Sequence, residues 1–228
     1  MTRERPHGPI VAIDGPAGSG KSTLARRLAT EVALPYVNTG LMYRALTARA
    51  LSSGIHVEDE ERLATEAGSM VFAVREGQPP ELTIEGVTAL GDLTSRAVEE
   101  NVSTVSRHPA VRRILRQRQR ALGASGSVME GRDIGSVVFP DADVKIFLSA
   151  APDVRADRRG QEEGRGHLGA AAVGARDALD ARTNPLVPAE DAFVVDTTSL
   201  SPDEVFAEVL AIVDSRIGGR DVPVEREG

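Results

Sequence analysis

The sequence lacks several residue types on which whole classes of protein depend. Its 228 residues include no cysteine, which excludes disulfides, thiol catalysis and cysteine-ligated metals, and the four histidines argue against a structural zinc site. No apolar run approaches the roughly 18 residues of a membrane-spanning helix. The opening MTRERPHGP has no apolar segment of the kind that directs secretion. We therefore expect a cytoplasmic protein with no membrane partner.

Lysine and aromatic residues are also scarce. Lys21 and Lys145 are lysines, and the other 25 of the 27 basic residues are arginines. Biased genome composition accounts for most of this excess, although the planar arginine fork also suits phosphate. Five phenylalanines, two tyrosines, no tryptophan and a formal net charge of −7 offer little for stacking or holding a nucleic acid. We expect no nucleic-acid partner.

Strand-like and helix-like segments alternate along the chain. The hydrophobic fraction, 41%, is that of a folded protein. Segments with helical spacing separate the strands, and this alternation predicts a parallel sheet covered by helices on both faces. Thr39 is the candidate N-cap of the second helix, and Ser201 that of the last. Short apolar stretches typical of strands lie at residues 10–13, 127–130, 144–149 and 192–198.

Two regions interrupt this pattern. Residues 56–96 contain the β-prone pieces VFAVR, ELTIE and GVTAL, which predict a small antiparallel insert. Residues 158–182 are rich in glycine, alanine and charge, which predicts a mobile lid. The core is then expected to comprise residues 10–55, 97–157 and 183–217, with flexible tails at 1–9 and 218–228.

The segment after the first strand carries the clearest chemical signal. Gly15-x4-Gly20-Lys21-Ser22 is a complete G-x-x-x-x-G-K-[ST] phosphate loop between a strand and a helix. In such a loop backbone N–H groups face phosphate oxygens, the lysine reaches the β- and γ-phosphates, and the hydroxyl can ligate Mg²⁺. The sequence predicts a nucleoside triphosphate site with Mg²⁺. The expected phosphate-binding residues are Gly15, Pro16, Ala17, Gly18, Ser19, Gly20, Lys21, Ser22 and Thr23.

Other motifs narrow the class of enzyme. The guanine motif N-K-x-D of GTPases is absent, because neither lysine stands in that context. The LSGGQ-like signature of transporter ATPases is absent too. A small kinase remains, and its acceptor has to be inferred from the rest of the chain.

The phosphate loop and three further segments resemble one family. IDGPAGSGKST, NTGLMYRALT, EGRDIGSVVFPDADVKIFLSA and PLVPAEDAFVVDTT are similar, in order and rough spacing, to signatures of bacterial cytidylate kinases. The resemblance covers about residues 10–215. It implies a P-loop nucleoside-monophosphate-kinase fold, an α/β fold with a five-stranded parallel sheet, a β insert and a lid. It also implies transfer of the γ-phosphate of ATP to CMP or dCMP, in pyrimidine nucleotide metabolism.

The resemblance assigns expected roles to residues outside the loop. Arg44 and Arg132 would grip the acceptor phosphate, and Asp133 would accept from the cytosine amino group. The remaining contacts to CMP would come from Thr39, Tyr43, Ser103, Arg112 and Asp180. Arg116 and Arg120 are expected to be solvated or paired with acids.

Lid arginines are expected to act in catalysis together with Lys21 and Arg132. Arg176 and Asp180 fit the family's R-D-x-x-D element, whose second aspartate contacts the sugar. Arg182 stands two residues after Asp180, one short of the usual family spacing. The resemblance therefore makes Arg176 and Arg182 the lid's catalytic candidates.

Other functions stay open on the sequence alone. A kinase of the same class could act on UMP, AMP or a small hydroxyl compound, with Asp14 or Asp133 as a base in the last case. A nucleotide sensor without transfer activity is the alternative from another class. The family further suggests a monomer.

Overall fold

The structure, a computed structural model, describes residues 8–85, 93–162 and 186–218. Short runs rich in β-branched and aromatic residues form the strands within these ranges. They are β1 (Ile10–Asp14), β2 (Tyr36–Asn38), β3 (Phe72–Arg75), β4 (Glu81–Ile84), β5 (Ser127–Gly131), β6 (Val144–Ser149) and β7 (Phe193–Asp196).

Helices alternate with these strands. Their bounds are α1 (Lys21–Glu31), α2 (Thr39–Ser52), α3 (Glu60–Ser69), α4 (Arg96–Arg107), α5 (Pro109–Gly123), α6 (Pro152–Glu162) and α7 (Pro202–Ile217). A π-helical turn covers Ile134–Val138. Ser201 caps α7 in a reciprocal capping box with Glu204, as its sequence predicts. No helix of the described ranges is long and apolar enough to cross a membrane.

The strands join into one sheet in the order β3-β4-β2-β5-β1-β6-β7. The predicted five-stranded parallel sheet is confirmed as β2-β5-β1-β6-β7. The β3–β4 hairpin of the predicted insert is antiparallel and extends the same sheet, because Tyr36 of β2 pairs with Glu81. The third predicted piece, GVTAL, lies outside the described residues.

The central strand β1 is buried over its whole length because both faces of the sheet are covered. Val11 and Ile13 pack with α1 and α7 on one face. Ile10 and Ala12 point to the other face, where they pack with the π-helical turn. A second cluster joins α2, α3, α4 and α5. Because β1, β2 and β5 are parallel, their carboxyl ends lie at the same edge of the sheet, where open parallel sheets bind ligands.

One local prediction is wrong. The N-cap of α2 is Asn38, whose side-chain oxygen accepts from the Leu41 N–H at 3.2 Å. Thr39 is the first residue of the helix, and its hydroxyl donates to the Glu130 carbonyl at 2.7 Å. The threonine thus ties α2 to β5, so that a long-range contact takes the hydroxyl that could have capped the helix.

Candidate active site

The phosphate loop is held in a conformation that only glycine adopts without strain. Gly15 and Gly18 have φ of 148° and 74°. A Cβ on Gly15 would lie 2.3 Å from the Leu148 carbonyl oxygen, and one on Gly18 would lie 2.5 Å from that of Arg155. Lys21 folds back over this loop and donates to the Pro16 carbonyl at 2.6 Å. The loop is therefore packed closely against β6 and α6, and the Lys21 ammonium group lies on the loop's own backbone.

A buried carboxylate lies beside the first turn of α1. Glu130, in β5, is 3% exposed and accepts from the Ser22 hydroxyl at 3.0 Å. The Tyr36 hydroxyl donates to its other oxygen. Burial raises the pKa of Glu130, against the opposing influence of Lys21 and these hydroxyls. Sequence reasoning missed this residue, although a lone acid in the apolar strand SVME was a usable signal.

The segment after β5 is anchored to the end of β1. Asp14 accepts from the backbone N–H groups of Ile134 at 2.8 Å and Gly135 at 2.7 Å. Burial raises the pKa of Asp14 to about 6, although these two hydrogen bonds lower it. Arg132 of the same segment donates to the Gly15 carbonyl at 2.7 Å. The Gly131–Asp133 turn is thereby fixed directly against the phosphate loop.

Two arginines of α5 converge on Asp133. Arg112 donates to its Oδ2 at 2.8 Å and Arg116 donates to the same atom at 2.6 Å. Arg116 is thus paired with an acid, as expected. Arg120 is exposed, also as expected, and it donates to the carbonyls of Val137 and Val138, each at 2.9 Å, which braces the π-helical turn.

A second arginine pair shares one acid on α4. The Glu99 carboxylate contacts Arg44 of α2 at 2.6 Å through Oε2, and Arg159 of α6 through Oε1. Arg44 also donates to the Leu93 carbonyl at 3.0 Å. Sequence reasoning missed Glu99, because nothing in a charged amphipathic helix marks one glutamate as special.

A cleft of about 450 Å³, a volume typical of small-molecule sites, lies between the phosphate loop, the turn after β5 and helices α2, α4 and α5. Gly15, Pro16, Ser19 and Thr23 do not line it. Arg176, Asp180 and Arg182 lie outside the described residues. The sequence-predicted residues that the structure brings together in the cleft are Ala17, Gly18, Gly20, Lys21, Ser22, Thr39, Tyr43, Arg44, Ser103, Arg112, Arg132 and Asp133.

Comparison with known proteins identifies the family. The cytidylate kinase of Streptomyces griseus is 41% identical over 215 residues, which cover 91% of this chain and 93% of that protein. The cytidylate kinase of Geobacillus thermodenitrificans is 42% identical over 218 residues, covering 91% and 97%. A family model described as cytidylate kinase matches residues 11–215. The chain therefore belongs to the cytidylate kinase family.

Proposed function

We propose that this cleft is where the chain transfers the γ-phosphate of ATP to the phosphate of CMP or dCMP. ATP-dependent phosphorylation of these nucleotides is the activity of the family. The observation that carries the assignment of the site is the junction of two segments: Arg132 and Asp14 fasten the Gly131–Asp133 turn to the phosphate loop. ATP bound at the loop and CMP or dCMP bound at the turn would therefore face each other.

The phosphate loop and α1 form the donor half. Lys21 would exchange the Pro16 carbonyl for the β- and γ-phosphates, and the N-terminus of α1 adds partial positive charge. Ser22 and Glu130 supply hard oxygen donors 3.0 Å apart, which fit Mg²⁺, an ion that takes one or two protein ligands besides phosphates and water. Bound there, Mg²⁺ would neutralise charge on the transferring phosphate.

The acceptor half would be built from α2, α5 and the turn after β5. Arg44 and Arg132 present planar forks suited to a phosphate dianion. Asp133 would accept from the cytosine amino group, with Ser103 and Arg112 completing the contacts to the base. Uracil presents an acceptor where cytosine presents a donor, so this carboxylate would disfavour UMP.

The reaction proposed needs no general base. The attacking atom is a phosphate oxygen that is already anionic near neutral pH, because the second phosphate pKa is about 6. Rate enhancement then rests on in-line positioning and on stabilising charge at the transferring group. Lys21, Arg132 and the predicted lid arginines Arg176 and Arg182 would share this task, with Asp180 on the sugar.

One chain supplies both halves of the cleft in this assignment. We therefore extend the proposal to a monomer acting in the cytoplasm, where ATP and nucleoside monophosphates occur together. The predicted lid would close over the nucleotides and exclude water, which would otherwise hydrolyse ATP.

A substrate panel tests the function. ADP release is measured with CMP, dCMP, UMP, AMP and shikimate as acceptors, at saturating ATP and Mg²⁺. We expect kcat/KM to be highest for CMP or dCMP. Equal rates with UMP would refute the assignment of the base site, and no release with any acceptor would favour the sensor.

Changing Lys21 to alanine tests the donor half. Loss of the ammonium should lower kcat by about 10²-fold or more, since Lys21 is the loop's own cation for the β- and γ-phosphates. The side chain is partly exposed, so the free energy of unfolding should change by about 1 kcal/mol or less. Activity close to that of the unsubstituted chain, in a folded variant, would contradict the role.

A further inference from the structure

Glu99 stands between two arginines at the acceptor end of the cleft. Its two carboxylate oxygens contact different partners, Arg44 on α2 and Arg159 on α6. The three side chains are 15%, 20% and 12% exposed, respectively, and all line the cleft. The arrangement of one anion bridging two guanidinium groups is the one that a phosphate adopts in an arginine-lined site.

The same guanidinium cannot serve both anions fully. A phosphate dianion on Arg44 would lie within a few ångströms of the Glu99 carboxylate, and the repulsion between them is only partly screened because the side chains around it are 12% to 20% exposed. Arg44 would have to give up the Glu99 oxygen at 2.6 Å. The carboxylate has a place to go, because Arg159 already holds its other oxygen and can take both.

We propose that Glu99 is a placeholder for the acceptor phosphate: it occupies Arg44 in the empty site and passes to Arg159 when the nucleotide binds. The inference rests on the proposed function only in assigning Arg44 to the acceptor phosphate. The need for this exchange lowers the affinity for the phosphate group and leaves binding of the base unchanged. Before the substrate arrives, the ion pair with Glu99 holds Arg44 in place.

Binding of CMP and of cytidine, measured by titration calorimetry without ATP, separates the phosphate from the rest of the nucleotide. Glu99→Gln keeps the shape of the side chain and removes its charge. We expect it to tighten CMP binding about fivefold and to leave cytidine binding unchanged, since a partly exposed ion pair is replaced by a weak neutral contact. Glu100→Gln, on an exposed residue paired with Arg96, is the matched control and should change neither.

Arg159→Met provides an independent test, in which the expected change in CMP binding is opposite to that of Glu99→Gln. Without Arg159 the Glu99 carboxylate lacks the guanidinium group to which it would pass, so CMP binding should weaken relative to cytidine. In the Glu99→Gln background the same change should have no further effect. Thermal unfolding of each variant checks that it is folded.

The outcomes separate the two levels of the proposal. If the unsubstituted chain phosphorylates CMP and Glu99→Gln leaves unchanged or weakens CMP binding, Glu99 is a structural brace and the placeholder is refuted. If Arg159→Met and Glu99→Gln both weaken CMP binding, the opposite signs expected of the two variants are not found, and the placeholder is refuted as well. If the unsubstituted chain binds CMP no better than cytidine, the acceptor-phosphate assignment of Arg44 fails, and the placeholder fails with it.

Discussion

Asp14 links the stability of this protein to pH through a single buried carboxylate. The residue is 8% exposed at the end of β1, and each of its oxygens accepts one backbone N–H from the turn after β5. Burial raises its pKa from 3.8 to about 6. Asp14→Asn removes the charge, and the amide can replace only one of the two accepting oxygens. The variant therefore separates a constant loss of one hydrogen bond from a loss that depends on pH.

The pKa difference sets the size of the pH-dependent part. One pKa unit corresponds to about 1.4 kcal/mol, so the shift of Asp14 is equivalent to about 3 kcal/mol. Because the folded-state pKa is the higher one, the native state binds the proton more tightly, and the stabilisation is complete below about pH 4. It is lost as pH rises through about 6. Between about pH 4.5 and pH 7 the expected loss is about 2 kcal/mol.

Urea unfolding of both forms at several pH values measures this contribution. The asparagine does not titrate, so subtracting its free energy of unfolding from that of the aspartate form cancels the other titrating groups. The difference should favour the aspartate form by about 2 kcal/mol more at about pH 4.5 than at pH 7. A difference that stays constant over this range, or that grows in the opposite direction, would refute the reasoning. A constant offset alone would report only the lost hydrogen bond.

Two further predictions follow from other charged groups. Asp133→Ala should lower kcat/KM for CMP by about 10- to 100-fold and that for UMP much less, as expected for a lost charge-assisted hydrogen bond; equal losses for both would contradict the base contact. Lys145 donates to Asp191 at 2.7 Å and to the Pro140 carbonyl, and it is 7% exposed against 67% for Asp191. Asp191→Ala leaves the buried ammonium with the Pro140 carbonyl but without this carboxylate, and chemical denaturation should show a loss of about 2 kcal/mol. Lys145→Met should cost about 1 kcal/mol or less. The reverse order would refute this explanation of the buried lysine.

The parallel sheet was predictable because its signals are local. A buried parallel strand is a short apolar run, and the phosphate loop needs its glycines and its lysine consecutively in the chain. The position of the hairpin was not predictable in this way. It joins the sheet edge through a bond from the Tyr36 N–H to the Pro80 carbonyl, and such pairing depends on how distant segments meet. Helix α3 went unpredicted in the same region.

The site was predictable where a motif carries it and not where long-range pairing does. The phosphate-loop motif identifies Ser22 as a site residue, but its hydrogen-bond partner Glu130 lies 108 positions away in the sequence. Asn38 and Thr39 are adjacent capping candidates, and the contact between Thr39 and β5 decides between them. Lys145, unexplained in the sequence, is explained by a carboxylate 46 positions later. In each case the residue type was visible and its partner was not.

The charge of the chain and the charge of the cleft have opposite signs. The formal net charge is −7, whereas the cleft is lined by five cationic and three anionic side chains. Lys21 and Arg132 donate to backbone carbonyls, while Arg44 and Arg112 contact carboxylates. Exchanging a carbonyl for a phosphate strengthens the bond, since a charged acceptor replaces a neutral one. Exchanging a carboxylate for a phosphate breaks an ion pair first. A phosphate would therefore replace a carbonyl at Lys21 in the donor half and at Arg132 in the acceptor half, whereas at Arg44 it would first have to replace the Glu99 carboxylate.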